Sequence, residues 1–477
     1  MRWQCSPSPR QGTATSRYAR GMDEARLRST SLWLDQLPGP LVPRAALSGD
    51  VDVDVAIVGG GYSGLWTAYS LLRRDPSMRV LVIEREMVGF GASGRNGGWC
   101  VGELAGGHAA GAASIRAIAD TVDEVGRVVE AENIECGFVR GGVIRLARTE
   151  PQLARQRHEV AEFAAMGFGP DVVELLDAPA ARARLEGSSV LGGVFYAPAA
   201  RVQPARLARG LADVIERLGA TIVEHTAATE LVAATATGRA QVLTDRGTVR
   251  ADVVIRATEA YTRDLEGQRR TLVPLYSLMV ATEPLPDDVW EQIGLRGMEL
   301  FADDRRMVIY GQRTVDGRIA FGGRGAPYRY GSGIDPATES ASGAHDQIVA
   351  TLHELIPATR DARITHRWGG VLGVPRDWQP SVGLDHATGL GWAGGYVGEG
   401  VAAANLAGRT LADLVTGTES ELTALDWVDH RSRRWEPEPL RWIGIGAGRR
   451  LAGWIDRQEE RGRRASGLAS LLDRVVR

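Results

Sequence analysis

The clearest pattern in the chain is an apolar run over Asp52 to Val58 that stops abruptly at Gly59-Gly60-Gly61-Tyr62-Ser63-Gly64. A strand followed by a tight turn is predicted. Leu65, Ala68, Leu71 and Leu72 then recur at helical spacing, and Val80-Leu81-Val82-Ile83 forms another apolar strand ending at Glu84. The segment reads as strand, helix, strand.

Farther along, the two periodicities alternate. Gln152 to Ala165 and Pro179 to Leu185 carry helical patterns, the latter with proline at a tolerated first-turn position, and Phe138 to Leu146 reads as a strand. Pro204 to Leu218 is an amphipathic helix and Thr221 to Glu224 a strand. Gln241 to Leu243 and Val249 to Ile255 form a meander ending at Ala257-Thr258. Ser277 to Thr282, Met307 to Tyr310 and Arg318 to Gly323 are predicted strands of a second sheet, with Asp316-Gly317 as a hairpin turn. After Trp368 the glycine-rich α/β character returns and runs to Leu414. The expected fold is α/β: a Rossmann-like domain from residues 50–105, 196–265 and 366–417, with an inserted α+β substrate domain on a mostly antiparallel sheet from 106–195 and 266–365. Residues 1–30 are expected to form a disordered tail, with Met22 as an alternative start, and 418–477 a helical extension.

The first unit carries chemistry. Gly59, Gly61 and Gly64 make a GxGxxG run between strand and helix, with the acidic Glu84 about twenty residues on. The first glycine allows the tight turn, the next lets backbone approach a pyrophosphate, and the last lets the helix pack close to the sheet. Amides at the helix N-terminus then bind the anion, and Glu84 accepts from a ribose hydroxyl.

Composition narrows the remaining classes. All 56 basic residues among the 477 are arginine, which excludes Schiff-base catalysis, pyridoxal phosphate attachment and a Walker loop. A net charge of -3 gives no footprint for nucleic acid. Cys5, Cys100 and Cys136 have no metal-ligand spacing, no metal site is expected, and no apolar run is long enough to span a membrane. A cytoplasmic setting is expected.

Four ordered motifs now resemble a known family, the D-amino-acid-oxidase-like FAD-dependent oxidoreductases, over about Ser31 to Gly417. They are the Asp54 to Leu65 run, Gly91-Ala-Ser-Gly-Arg-Asn-Gly-Gly98, Val253-Val-Ile-Arg-Ala-Thr-Glu-Ala-Tyr261 and Gly394-Gly-Tyr-Val-Gly-Glu-Gly-Val401. The Gly91 to Gly98 run most resembles the γ-glutamylputrescine oxidoreductase branch. The resemblance implies noncovalent FAD held by Gly59, Gly61, Tyr62, Ser63, Gly64, Glu84 and Arg85. It places Ala92, Ser93, Asn96, Gly97 and Gly98 along the pyrophosphate and the isoalloxazine edge, and Ala228, Ala257 and Thr258 beside the adenosine half. Gly395, Tyr396, Gly398, Gly400 and Val401 would lead into a late helix whose N-terminal amides face the flavin pyrimidine carbonyl. A separate dinucleotide site is the alternative reading of Gly398-Glu-Gly400.

Three features depart from the family pattern. Glu259 stands where the family usually carries Asn, no tethering cysteine or histidine occupies the expected places, and the lysine that amine-oxidising relatives commonly put near flavin N5 is absent. Cys100 reads as a buried thiol.

The implied reaction is oxidation of an amine or amino-acid C–N bond by hydride transfer to flavin N5, giving an imine that hydrolyses to an aldehyde or keto acid. It needs a neutral amine, and deprotonating an alkylamine of pKa ~10.4 at pH 7 costs roughly 4.6 kcal/mol. A dry aromatic pocket lowers that cost. Tyr310 and Trp368 are the leading aromatic candidates, Arg313 and Arg324 the candidates for a substrate carboxylate, and His366 a flavin-facing or merely structural histidine. Oxygen or another acceptor completes the cycle. Alternatives are a dehydrogenase feeding a quinone or carrier protein and a noncatalytic flavin redox sensor. Trp427 to Arg477 is expected to pack back on the FAD domain, with docking to a membrane or partner as the other reading.

Overall fold

The computed structural model describes residues 24–105, 111–325, 328–340 and 342–462. Among them, Val51–Val58 is the centre of an eight-stranded sheet, pairing in parallel with Thr248–Arg256 on one side and Val80–Ile83 on the other. Thr221–Val223 extends the sheet beyond Val80–Ile83, and Leu390–Gly394 beyond Thr248–Arg256. Val55 to Val58 are all buried, since the helices cover one face of the sheet while Leu47, Leu231 and Val242 pack on the other, and this explains the near-continuous apolar run. Tyr62–Arg74, Ala112–Ala131, Pro204–Arg217 and Gly400–Thr416 share one core through Leu65, Val122, Leu211 and Leu406. Gly408 permits the closest crossing: a Cβ there would lie 2.6 Å from the Trp66 carbonyl carbon. The meander is Ala228–Val232, Ala240–Thr244 and Thr248–Arg256, paired antiparallel.

Another eight-stranded sheet stands beside the first, in the order Ile364–Val374, Val273–Thr282, Ile319–Arg324, Ile309–Arg313, Leu300–Asp303, Val143–Ala147, Gly192–Tyr196 and Val173–Asp177. Its pairs are antiparallel except Leu300–Asp303 with Val143–Ala147. Ile348, Leu352 and Leu355 of the helix Ala344–Leu355 pack on Phe301 and Phe321, whose rings stack at 5.9 Å. The fold is therefore the expected α/β architecture with a mostly antiparallel second sheet.

Several boundaries differ from expectation. The tail expected through residue 30 is helical over Glu24–Arg28, where Leu27 is buried with Leu32 and Trp33; residues 1–23, with Cys5 and Met22, lie outside the described residues. Ile364–Val374 pairs along Val273–Thr282 and so belongs to the antiparallel sheet, not the parallel one. Ala112–Ala131 packs its Ile118, Val122 and Val125 into the nucleotide-side core rather than the substrate side. Positive φ at Gly142 breaks the predicted Phe138 to Leu146 strand, leaving Val143–Ala147.

The C-terminal segment keeps to expectation only at its start, where Trp427 is buried in the core it shares with Leu406; residues 463–477 lie outside the described residues. Leu440–Glu460 docks on the half of the molecule built on the antiparallel sheet: the Asp456 carboxylate accepts the Arg306 and Met307 amides at 2.8 Å each, and Glu459 pairs with Arg155 at 2.9 Å. Its polar contacts select this surface because they cap backbone groups of the turn after Leu300–Asp303. No helix among the described residues is long and apolar enough to cross a membrane.

Candidate active site

A groove opens where the first strand meets its helix. Gly59 has φ +117°, and a Cβ there would lie 2.4 Å from the Ala257 carbonyl oxygen, while one on Gly64 would lie 2.0 Å from the Gly59 oxygen. Both positions are closed to any side chain. Gly61 precedes Tyr62–Arg74 with no side-chain cap, so that helix N-terminus keeps room for an anion. Ser93 braces it by accepting the Tyr62 amide at 2.9 Å.

Glu84 is fixed at the other end. Its two oxygens accept the Gly60 and Glu86 amides at 2.7 and 2.8 Å, and burial pushes its carboxyl above the usual range. Lone pairs remain for ribose hydroxyls. Tyr62, Ser63, Arg85, Ala92, Ser93, Ala228, Ala257 and Thr258 line the groove with it. Arg85 lies 4.7 Å over the Tyr261 ring and pairs with Asp264 at 2.9 Å, which gives one wall a cationic face. Glu86 Oε2 is buried in the same groove without a partner, and desolvation pushes its carboxyl up to about 7. A glycine cradle, a helix N-terminus and a fixed acidic group fit a dinucleotide.

Ala92 also lines a neighbouring cavity of about 310 Å³. Asn96, Gly97, Tyr310, Arg324, Gly398 and Val401 line it from the predicted set, and Glu103, Ser277, Leu372 and Glu399 join them. Tyr310 meets Trp99 edge to face at 6.0 Å and its hydroxyl lies 2.6 Å from Ser277 Oγ. Arg324 donates to the Val397 carbonyl from Nη2. Burial and the nearby Glu103 push the Glu399 carboxyl up to about 7, and Arg324 opposes them.

Other predicted residues support these spaces without lining them. Gly64 packs the helix on the turn; Gly98 has φ +70°, and a Cβ would strike Gln312 Nε2 at 2.0 Å. Gly395 and Tyr396 give their amides to Glu259 at 3.0 and 3.1 Å, and the Tyr396 hydroxyl lies 3.0 Å from Ser63 Oγ. Gly400 opens the late helix against the Tyr396 ring. Glu259, the departure from Asn, thus ties the turn after Thr248–Arg256 to the loop before Gly400–Thr416. Burial pushes its carboxyl up to about 7.

Three catalytic candidates fall elsewhere. Arg313 sits three residues after Tyr310, on the opposite face of the same strand, and stacks 4.3 Å over Trp290. His366 is at the far end of Ile364–Val374 from Leu372 and lies 3.2 Å from Asp35. Trp368 is buried against Trp33 at 6.0 Å and donates to the Arg95 carbonyl at 2.9 Å, so it holds the loop that lines the cavity rather than the cavity itself. Cys100 is fully buried and lines neither space.

Four cavity carboxylates, Glu103, Asp303, Asp304 and Glu399, fall outside the predicted set. Glu399 lies inside the Gly398-Glu-Gly400 motif, where a charged residue between two glycines at a helix start is the available signal. Glu103 carries none.

The fold and groove define an FAD-dependent oxidoreductase. The chain belongs to the DAO family, described as FAD dependent oxidoreductase, which matches residues 54–414. It is 28% identical over 401 residues to gamma-glutamylputrescine oxidoreductase of Escherichia coli (strain K12), covering 81% of this chain and 89% of that protein. Among solved structures it resembles glycine oxidase from Geobacillus kaustophilus (TM-score 0.68, 21% identity, 81% of this chain and 100% of that one). It also resembles L-proline dehydrogenase from P.horikoshii (TM-score 0.66, 19% identity, 80% and 96%).

Proposed function

We propose that the protein oxidises the C–N bond of an amine or amino acid, producing an imine that hydrolyses to an aldehyde or keto acid and ammonia or a smaller amine. FAD bound in the groove supplies the hydride acceptor. The observation that carries the reading is the cavity sharing Ala92 with the groove, closed by Tyr310 and Trp99 and carrying Arg324 and Glu399 for a charged substrate. Relatives named for amine and amino-acid chemistry support it.

The residues divide the work. Gly59 and Gly61 keep backbone close to the pyrophosphate, Gly64 lets the helix pack on the turn, and Glu84 orients the ribose. Tyr310, held by Ser277, walls off water. The Gly400–Thr416 N-terminus puts a positive dipole end beside Gly398 and Val401, which favours negative charge gathered there. No lysine exists to stand by the flavin.

Mixing the yellow protein anaerobically with a panel of amines and amino acids tests the reading. Loss of the oxidised flavin's visible absorbance with at least one of them is expected. A flavin that photoreduction bleaches but the whole panel does not would favour a redox sensor. The FAD is proposed to be noncovalent, so acid precipitation should release all the colour.

A further inference from the structure

One carboxylate of the cavity plays no part in holding it together. Glu399 occupies the N-cap position of Gly400–Thr416, yet its side chain caps nothing and makes no hydrogen bond to another described residue. It lines the cavity with Tyr310 and Arg324. Many other charges there are closed into pairs: Arg95 with Glu339, Arg145 with Glu159, Arg305 with Asp303, and Asp304 with Arg155. The charged or titratable groups facing Glu399 are Arg324 from Ile319–Arg324, Tyr310 from Ile309–Arg313 and Glu103 from the segment after Trp99–Val101. Arg324 has spent one nitrogen on the Val397 carbonyl, so the unspent anion at the start of the late helix is Glu399.

We propose that Glu399 receives the ammonium group of a cationic amine substrate and accepts its proton, delivering the amine neutral for oxidation. This deepens the C–N oxidation reading and rests on it. The ammonium N–H bond breaks, the proton passes to a Glu399 oxygen, and the electron pair stays on nitrogen, so ammonium and carboxylate become amine and carboxylic acid without change of total charge. The two groups are brought together in proton affinity from both sides. Burial and Glu103 raise the carboxyl to about 7, and the solvation an ammonium loses on entering the same cavity lowers it from its aqueous value. The helix N-terminus and Arg324 keep the carboxylate form accessible near neutral pH. The favoured substrate class is then an amine presented as its ammonium ion.

The FAD-loaded full-length protein can be titrated with tetramethylammonium, which has no proton to lose, and separately with acetate, following the flavin's visible absorbance. Tetramethylammonium affinity should rise about tenfold between about pH 6 and about pH 8 as Glu399 ionises, while acetate shows no such rise. Glu399→Gln should flatten that dependence and weaken the cation at least about tenfold at the higher pH. With an amine that bleaches the flavin, the limb of the reduction rate near neutral pH should disappear in Glu399→Gln and return in Glu399→Asp. A wild-type cation affinity that is flat with pH, or a Gln variant that keeps both the affinity and the limb, overturns the proposal. Should the Gln variant lose its flavin, the wild-type titration decides alone. If no amine bleaches the flavin, the C–N reading falls; if amines bleach wild type and Glu399→Gln alike, only the role of Glu399 falls.

Discussion

The groove and the cavity share Ala92 but are built in opposite ways. The groove is made by backbone: glycines whose Cβ positions are already occupied by the carbonyls of Ala257 and Gly59, amides at a helix start, and one acidic residue ending the next strand. All but Ala257 come from Gly59 to Glu84. The cavity is made by side chains from Trp99, Ser277, Tyr310, Arg324, Leu372 and Glu399, joined only because distant strands align. A local structure fixes its chemistry by spacing, whereas a nonlocal one depends on register. Damage should therefore spread differently: a groove substitution acts through steric closure, and a cavity substitution through charge.

The Arg95–Glu339 pair is where the two regions meet. Arg95 belongs to the loop lining the cavity, lies 4.4 Å over Phe90 of the groove and pairs with Glu339 at 2.7 Å, both side chains being less than a tenth exposed. Glu339→Ala leaves a buried guanidinium unpaired, and about 3 to 5 kcal/mol of stability should be lost. FAD retention and flavin reduction should fall together. Denaturant unfolding with flavin content measured in parallel checks this, and a variant with unchanged stability would mean that the regions are uncoupled.

Gly64→Ala attacks the groove alone. Its Cβ would sit 2.0 Å from the Gly59 oxygen, so helix and turn must separate, costing about 3 kcal/mol and most of the FAD affinity. Gly267→Ala is the matched control. There φ is +72° but nothing lies within 4 Å, so the loss should be the left-handed strain alone, about 1 to 2 kcal/mol with FAD retained. Equal loss of flavin in both would remove the steric account.

How much can be read from the chain follows the same division. The βαβ unit, Glu84 and the alternation of a parallel with an antiparallel sheet are legible because each is a short-range pattern. Tyr310 and Arg324 are legible as residues on the correct strands. Arg313 falls outside the cavity because face alternates along a strand, and the apolar pattern alone does not say which face of Ile309–Arg313 turns toward it. Trp368 and His366 are on the right strand and the same face as Gly370 and Leu372, but position along the strand is set by the pairing with Val273–Thr282, which nothing local reveals. Glu399 lies inside a motif that flavin binding already explains, and Glu103 has no local signal at all.

Glu259 sharpens the comparison because it is a side chain in a backbone role, linking the Thr258 turn to the amides of Gly395 and Tyr396. Burial raises its carboxyl to about 7 in the folded chain, from an ordinary 4.5. The folded state holds the proton more tightly than the unfolded one, so this group's contribution is most favourable below the lower value and declines as pH rises through the higher one. Relative to Glu259→Gln, wild type should lose about 2 to 3 kcal/mol of advantage between about pH 5 and about pH 8. Paired unfolding curves at the two pH values measure it. A gap that does not change would show that the two amide bonds hold the carboxylate ionised throughout.

The smallest effect is expected at His366, and its smallness is informative. A histidine two residues before a buried tryptophan is a natural stand-in for the missing lysine, since a protonated imidazole beside reduced flavin would favour oxygen reduction. The strand places it elsewhere. At roughly 3.3 Å per residue, His366 lies about 20 Å along Ile364–Val374 from the cavity-lining Leu372. Trp33 and Trp368 pack at 6.0 Å in between, and the imidazole faces Asp35 on the surface, its side chain 23% exposed and the aspartate 50%. An exposed pair of this kind contributes about 0 to 1 kcal/mol. His366→Ala should therefore leave the rates of anaerobic flavin reduction and aerobic reoxidation, and their dependence on pH, as they are in wild type. A reoxidation rate that loses its pH dependence in this variant would require a route for charge across the tryptophan pair, and would show that the cavity's reach is not set by its walls.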